Sequence, residues 1–204
     1  MESSRDIAKE LLEIKAVQIR TDEYFTWTSG IKSPIYCDNR LTMSYPETRR
    51  KLAKAFALMV DGLEQKPDVI AGCATAGIPH AAWLAEELNL PMVYVRSKPK
   101  GHGKGNQIEG VLEKDQNVIV IEDLISTGGS SIDSAKALQE EGANVLGVLA
   151  IFTYGLEKSK QKFADAELDF QTITTYDEML AVLKEIGEFN DDELNELRAW
   201  QNSL

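Results

Sequence analysis

Short apolar runs spaced through residues 68–174 constrain the fold of this chain more than any other feature of the sequence. Each run is rich in aliphatic and β-branched residues and has the length of one buried strand; the runs cover residues 68–79, 91–96, 117–123, 144–152 and 167–174. Helical stretches separate most of them, of which AAWLAEELNL, SIDSAKALQEEG and YDEMLAVLKEIG are the clearest. Apolar strands that alternate with helices are typical of a parallel sheet covered on both faces. The sequence therefore predicts an α/β fold with a central, mostly parallel sheet flanked by helices.

The segments on either side of this pattern predict further helices and a small cap. Residues 4–17 place apolar side chains at helical spacing behind Ser3, a suitable capping residue. Residues 24–41 mix aromatic and turn residues, which predicts short strands, and Pro46 opens another helix. The C-terminal FNDDELNELRAWQ predicts a capped helix.

Length and composition indicate one ordinary globular protein. With 204 residues we expect a single domain over residues 1–204, to which residues 1–45 contribute a helix and a cap over the active site. The net charge of -11 disfavours nucleic acid or an anionic membrane as a partner. Cys37 and Cys73 lack the number and spacing of a disulfide framework or zinc site, so we expect free thiols. The charged N-terminus and the shortness of the longest apolar run, residues 145–152, predict a cytoplasmic protein without a membrane partner.

Residues 118–131, VIVIEDLISTGGSS, predict a buried strand, a phosphate-binding loop and the first turn of a helix. Gly128 and Gly129 permit tight backbone geometry, and the unpaired amides of a helix N-terminus favour an anion. The segment also supplies hydroxyl donors at Ser126, Thr127, Ser130 and Ser131. The alternative is an ordinary strand-to-helix turn. Neither GxxxxGK(S/T) nor GxGxxG occurs, which argues against a P-loop NTPase and against dinucleotide binding.

Glu122 and Asp123 end the predicted strand directly before this loop. Two adjacent carboxylates repel a phosphate unless they bind hydroxyl groups or a cation. A ribose 5-phosphate meets this condition, because its hydroxyls can donate to the carboxylates while its phosphate lies on the glycine loop. The alternative is that the pair only caps the helix.

Residues 96–105, RSKPKGHGKG, form a basic and glycine-rich segment without an acidic residue in a chain of net charge -11. The cationic side chains are Arg96, Lys98, Lys100, His102 and Lys104. Clustered cations on a glycine-rich segment predict a lid that closes over an anionic substrate such as a diphosphate. The alternative is a solvated loop that balances acidic neighbours. The other histidine, His80, falls inside a predicted helix and is expected to be a packed or capping residue.

With these features in place, the chain resembles the type I phosphoribosyltransferases, in which two acidic residues and a glycine loop follow a hydrophobic strand. VIVIEDLISTGGSS matches that signature. The lid segment VRSKPKGHGKGNQIEG and the N-terminal FTWTSGIKSPIYCDNR are similar to the orotate phosphoribosyltransferases, and the resemblance spans most of residues 1–180. It implies the type I fold. It also implies transfer of ribose 5-phosphate from phosphoribosyl diphosphate to orotate, giving orotidine 5′-monophosphate and diphosphate, in pyrimidine biosynthesis.

The resemblance further implies roles for individual residues. Arg96, Lys100 and His102 would contact the diphosphate, with Lys100 as the principal catalytic residue. Together with Asp123, these three form the implied catalytic set. The ribose phosphate would bind to Glu122, Asp123, Leu124, Ile125, Ser126, Thr127, Gly128, Gly129 and Ser130, and Ser126 would also contact orotate. Mg²⁺ would bind mainly through the diphosphate, and the family implies a homodimer in which the lid of one subunit serves the site of the other.

The sequence departs from the family pattern at several positions. The second basic residue that follows the lid arginine in relatives is shifted here to Lys98. Tyr154 stands where some relatives use an arginine to bind orotate. Neutral residues also stand where some relatives have a lysine or a tyrosine-lysine pair, namely Thr28, Thr75 and Ala76. The resemblance therefore leaves orotate recognition to backbone groups and to the side chains of Ser126 and of Lys32 or Tyr36.

Two other functions stay open from the sequence. A phosphoribosyltransferase for a purine or another base would keep the same loop, because the loop contacts only the shared sugar phosphate. A non-catalytic sensor or transcription regulator would also keep it. The N-terminal cap argues against the first function, and the acidic charge without a basic recognition helix argues against DNA binding.

Overall fold

Seven α-helices and ten β-strands make up the part of the chain that the computed structural model describes, residues 3–27, 30, 32–98 and 107–204. The helices are α1 (Ser4–Glu13), α2 (Pro46–Asp61), α3 (Gly77–Leu88), α4 (Gly129–Glu140), α5 (Glu157–Asp165), α6 (Tyr176–Glu185) and α7 (Asp191–Asn202). A 3-10 helix spans Asn39–Ser44. Among the described residues, no helix is long and apolar enough to cross a membrane.

The strands form one large sheet and two small ones. They are β1 (Val17–Ile19), β2 (Phe25–Thr26), β3 (Lys32–Ser33), β4 (Ile35–Cys37), β5 (Val69–Cys73), β6 (Met92–Val95), β7 (Ile108–Glu109), β8 (Asn117–Ile125), β9 (Asn144–Thr153) and β10 (Phe170–Thr175). In the described chain, six of them form a sheet of order β10-β9-β8-β5-β6-β7, in which every pairing is parallel except β6 with β7. In the N-terminal cap, β1 pairs with β4 and β2 with β3, both antiparallel. The predicted α/β fold with a mostly parallel sheet is confirmed.

Helices cover both faces of the sheet because its central strands are apolar on both faces. Along β8, Ile119 and Ile121 pack into a core cluster with α1, α2, α3 and α6, whereas Val118 and Val120 pack with α4 and α5. Alternate side chains of a strand point to opposite faces, so a continuous apolar run gives two cores. This arrangement leaves the edge at the carboxyl ends of the strands as the place for a ligand.

The structure differs from the sequence prediction in several places, among them the run 68–79, where the strand ends at Cys73 and α3 begins at Gly77, and the run 167–174, where the strand begins at Phe170. Strand β8 runs to Ile125, two residues past its predicted end, because it continues to pair with β9. Helix α1 ends at Glu13 rather than 17, and Lys15 then takes a left-handed conformation with φ 59°. Helix α5 was not predicted, because its sequence is highly charged and buries only Ser159 and Phe163.

The predicted N-terminal caps of α1 and α7, the start of α2 and the free thiols agree with the structure. Ser3 and Asp6 form a capping box at α1, and Asn190 and Glu193 form another at α7. Pro46 is the first residue of α2. Cys37 and Cys73 are both free thiols, as expected.

Candidate active site

The two loops that follow strongly apolar runs lie side by side at the carboxyl edge of the sheet. Strands β5 and β8 are parallel neighbours, with Gly72 opposite Ile121. Ligands of open α/β sheets bind at this edge. After β5 the chain passes into α3 through residues 74–76, with a cis peptide bond between Ala74 and Thr75. After β8 it passes into α4 through residues 126–128.

Glycine occupies positions 128 and 129 for different physical reasons. Gly128 is the N-cap of α4 with φ 78°, a left-handed conformation that favours glycine. A Cβ at Gly128 would also lie 2.6 Å from Cε2 of Phe163 in α5. A Cβ at Gly129 would meet nothing within 4 Å, so this position is open toward solvent. The tertiary structure therefore demands Gly128, and Gly129 leaves space in front of the helix N-terminus.

The hydroxyl side chains of the loop divide into an accessible group and a buried one. Thr127 and Ser130 are exposed and Ser126 is half-buried. Ser131 is fully buried, and its hydroxyl has no hydrogen-bond partner among the described residues. The expectation that Ser131 lines the loop is wrong, because its position on α4 turns the side chain into the protein. Two hydroxyls, those of Ser126 and Thr127, and the N-terminal amides of α4 are left for an anion, and Ser130 joins them only by releasing the hydrogen bond that its hydroxyl donates to Glu122.

The acidic pair links three parts of the protein. The Glu122 carboxylate is 6% exposed and accepts hydrogen bonds from the Asp123 backbone N–H at 3.0 Å and from the Ser130 hydroxyl at 3.1 Å. The carbonyl oxygen of Asp123 accepts a hydrogen bond from Nδ2 of the buried Asn39 at 2.7 Å. Glu122 thus contacts a hydroxyl in α4. The N-cap of α4 is Gly128, which has no side chain to cap the helix. Sequence reasoning missed Asn39, since nothing local marks a contact 84 residues away.

Burial changes the protonation of the pair. Burial, with the neighbouring Asp123 carboxylate as a second cause, raises the pKa of Glu122 to about 8. Burial also raises the pKa of Asp123, against the lowering effect of the hydrogen bond from Glu122. Burial of the pair therefore favours the protonated form of Glu122 in the free protein. Hydroxyl donors from a ribose would favour the ionised form.

Stability should fall with rising pH because of Glu122. Its folded pKa of about 8 lies above its ordinary 4.5, so the folded state holds the proton more tightly than the unfolded state. The stabilisation is complete below pH 4.5 and is lost as the pH rises to about 8. We expect Glu122→Gln to unfold with a free energy higher than wild type by a few kcal/mol at pH 9, and by about 1 kcal/mol or less at pH 5. Urea unfolding at both values measures this; a pH-independent difference, or the same effect in exposed Glu113→Gln, would contradict it.

Arg96 lies at the base of the lid segment, directly after β6. Its backbone N–H donates to the carbonyl of Gln107 at 2.8 Å, and Nε2 of Gln107 donates to the Arg96 carbonyl at 2.9 Å. Nη1 of Arg96 is 3.3 Å from Oε1 of Glu109, in a partly exposed ion pair that a diphosphate could replace. Lys98 is exposed. The remaining lid cations, Lys100, His102 and Lys104, lie outside the described residues, as does Thr28.

Trp27 of the cap packs against the aromatic side chains at the end of β9. Tyr154, directly after β9, is 3% exposed, and its ring centre lies 5.0 Å from that of Trp27 and 5.4 Å from that of Phe152. Tyr154 therefore packs the cap against the sheet. Tyr36 on β4 is 40% exposed, and Lys32 on β3 is also exposed.

His80 is a packed residue, as expected. It is 2% exposed in α3, and its ring meets Trp83 edge-on at 5.3 Å. Burial lowers the pKa of His80 to about 4. In the described residues, no group of three or more His, Cys, Asp or Glu side chains is arranged to hold a metal ion.

Comparison with known proteins assigns this site to a family. The phosphoribosyl transferase domain family matches residues 44–178, which contain the acidic pair and the glycine loop. The orotate phosphoribosyltransferase of Oceanobacillus iheyensis is 64% identical over 201 residues, which are 98% of this chain and 100% of that protein. The chain belongs to the orotate phosphoribosyltransferase family. The family member from Bacillus subtilis is 55% identical over 197 residues, 97% of this chain and 91% of that protein.

Solved structures of the orotate phosphoribosyltransferase family and of related proteins share the fold. The crystal structure of orotate phosphoribosyltransferase from Aeropyrum pernix superimposes with a TM-score of 0.76 at 30% identity, covering 90% of this chain and 99% of that one. The structure of Leishmania donovani UMP synthase gives a TM-score of 0.82 at 26% identity, covering 100% of this chain and 43% of that one. The fold implied by the sequence resemblance, that of the type I phosphoribosyltransferases, is confirmed.

Proposed function

We propose that the protein transfers ribose 5-phosphate from phosphoribosyl diphosphate to orotate, giving orotidine 5′-monophosphate and diphosphate in pyrimidine (UMP) biosynthesis. The observation that carries the proposal is the buried acidic pair, Glu122 and Asp123, directly before a glycine loop at a helix N-terminus. A plain phosphate site has no use for two carboxylates, whereas a ribose phosphate offers hydroxyls to them and a phosphate to the loop. The names of the family members supply orotate as the base.

The described residues divide between the two ends of the sugar phosphate. The 5′-phosphate would lie against the amides at the start of α4 and the hydroxyls of Ser126, Thr127 and Ser130. The ribose hydroxyls would donate to Glu122 and Asp123. Leu124 and Ile125, which are still paired with β9, hold the acidic pair in register with the loop. This arrangement fixes the C1 carbon without a covalent contact to the protein.

The diphosphate would leave on the β6 side, where Arg96 is placed. The reaction breaks the bond from C1 to a diphosphate oxygen as the bond from C1 to orotate N1 forms, and the proton of orotate N1 passes to the released diphosphate or to water. Negative charge develops on the leaving group, so positioned cations in a site closed to water lower the barrier most. Arg96, Lys100 and His102 are the proposed cations, and Lys100 is the main catalytic residue. Asp123 would accept hydrogen bonds from the ribose hydroxyls, and Ser126 would also contact orotate.

Magnesium suits this donor set. Mg²⁺ prefers oxygen ligands and commonly binds through one or two carboxylates together with substrate phosphates. Glu122 and Asp123 offer such oxygens at the sugar, and most of the remaining ligands would come from the diphosphate. When bound, the ion would neutralise charge on the leaving group.

A homodimer that shares its lids between subunits is also proposed, on the basis of the family resemblance. Orotate and phosphoribosyl diphosphate are the proposed partners of the site. A cytoplasmic location stays a prediction from the sequence.

A substrate panel tests the proposed function. The protein is incubated with Mg²⁺ and phosphoribosyl diphosphate, and consumption of orotate, adenine, xanthine and uracil is followed together with release of diphosphate. We expect orotate-dependent release that stops when EDTA removes the metal. Turnover of a purine but not of orotate, or ligand binding without any turnover, would reject the proposal in favour of a purine enzyme or a sensor.

A further inference from the structure

Arg40 is held at the rim of the candidate site by its two neighbours in the chain. The preceding residue in the 3-10 helix is not exposed: Asn39 is fully buried and donates to the Asp123 carbonyl at 2.7 Å. Asp38 Oδ1 accepts hydrogen bonds from the Arg40 backbone N–H at 3.2 Å and from its Nε at 2.7 Å. The backbone and the inner edge of the guanidinium are thereby positioned.

The outer edge of the same guanidinium is open. The Arg40 side chain is 60% exposed, and within the described residues Nη1 and Nη2 have no hydrogen-bond partner. The Asp38 carboxylate raises the pKa of Arg40, and the charges of Asp123 and Tyr36 raise it further, so Arg40 lies within electrostatic range of both. Two parallel N–H donors held in this way match the geometry of a carboxylate.

The chemistry of the proposed reaction indicates which part of the substrate lies near Arg40. In a displacement at C1, the incoming base and the leaving diphosphate occupy opposite sides of the carbon. Arg96 marks the diphosphate side at the end of β6, and the sheet order continues from β8 to β9 on the other side. The base therefore lies toward β9 and the cap. There the side chain of Tyr154, which stands where some relatives use an orotate-binding arginine, is buried between aromatic rings.

We propose that Arg40 binds the carboxylate of the pyrimidine and so selects orotate over uracil; this inference rests on the proposed function. Orotate differs from uracil by one carboxylate, which needs a cation once the site closes over it. Lys32 is less suitable, because among the described residues its side chain has no hydrogen bond or ion pair to position it, whereas Asp38 holds that of Arg40. Arg40 instead stands beside the residues that hold the ribose.

A pair of nucleotides that differ only in this carboxylate tests the inference. Calorimetry compares binding of orotidine 5′-monophosphate and uridine 5′-monophosphate to the wild-type protein and to Arg40→Ala. We expect Arg40→Ala to weaken orotidine 5′-monophosphate by about 10- to 100-fold and to leave uridine 5′-monophosphate within about 2-fold. Arg40→Lys should keep part of the preference because it keeps the charge, and Arg40→Gln should lose it. Unchanged uridine 5′-monophosphate binding also shows that each variant is folded.

The controls separate this inference from the proposed function. Arg5→Ala removes an arginine of similar exposure, 55% against 60%, which lies in α1 and pairs with Glu178, and should change neither affinity. Equal loss of both nucleotides in Arg40→Ala, or a carboxylate-specific loss in Lys32→Ala instead, would overturn the role of Arg40. So would equal binding of both nucleotides by the wild-type protein. Turnover of orotate by the wild type is measured separately, and its absence would reject the proposed function itself.

Discussion

Replacing Gly128 with alanine should lower the free energy of unfolding by about 2–4 kcal/mol and remove ribose-phosphate binding. Two costs add at this residue. A left-handed conformation costs an L-residue about 1–2 kcal/mol, and Gly128 has φ 78°. The new Cβ would also lie 2.6 Å from the Phe163 ring, which is 2% exposed and has no room to move away. Relief requires the loop to leave the N-terminus of α4, which destroys the anion site.

Gly129→Ala is the matched control for this prediction. The position is adjacent and helical, and a Cβ there meets nothing within 4 Å. We expect its unfolding free energy to stay within about 0.5 kcal/mol of wild type, or to rise slightly, since alanine suits a helix better than glycine. Urea unfolding of the three proteins makes the comparison. Equal stability of the two variants would show that Gly128 is not under the constraint that we infer.

Replacing Lys100 with alanine should lower kcat by about 100- to 1000-fold while the affinity for phosphoribosyl diphosphate changes by less than about 10-fold. The reason is that a lid cation is needed most when charge develops on the departing diphosphate. Lys114→Ala, at an exposed lysine outside the lid, serves as the control and should keep wild-type rates. Rapid-quench turnover and equilibrium binding measure the two quantities. Unchanged turnover would remove Lys100 from the mechanism.

The same variant tests whether lids are shared between subunits. Lys100→Ala and Asp123→Asn subunits, each inactive alone, are mixed and allowed to exchange. If the lid serves the partner's site, half of the dimers are mixed and one of their two sites is intact, so about one quarter of wild-type activity returns. If the lid serves its own subunit, every site in a mixed dimer carries one defect. The mixture then stays inactive, and lid sharing is rejected.

Local sequence determined much of the fold of this protein. The apolar runs of β5, β8 and β9 predicted a parallel sheet because such strands are buried on both faces, and the glycine loop after β8 marked the start of α4. The acidic pair was recognisable from adjacency alone. Local sequence did not predict α5. The sequence of α5 is highly charged, and the contact of its buried Phe163 with Gly128 forms only in the folded protein.

Tertiary structure decided what each candidate residue can do. Thr127 and Ser131 look alike in the sequence, yet the structure exposes the first and buries the second. The raised pKa of Glu122 follows from its burial under α4, and the rim position of Arg40 follows from the contact between Asn39 and Asp123, 84 residues apart. Sequence patterns report backbone conformation and hydrophobic period, which are local. Burial, proton affinity and the meeting of the cap with β8 depend on how distant segments pack, and only the folded chain sets them.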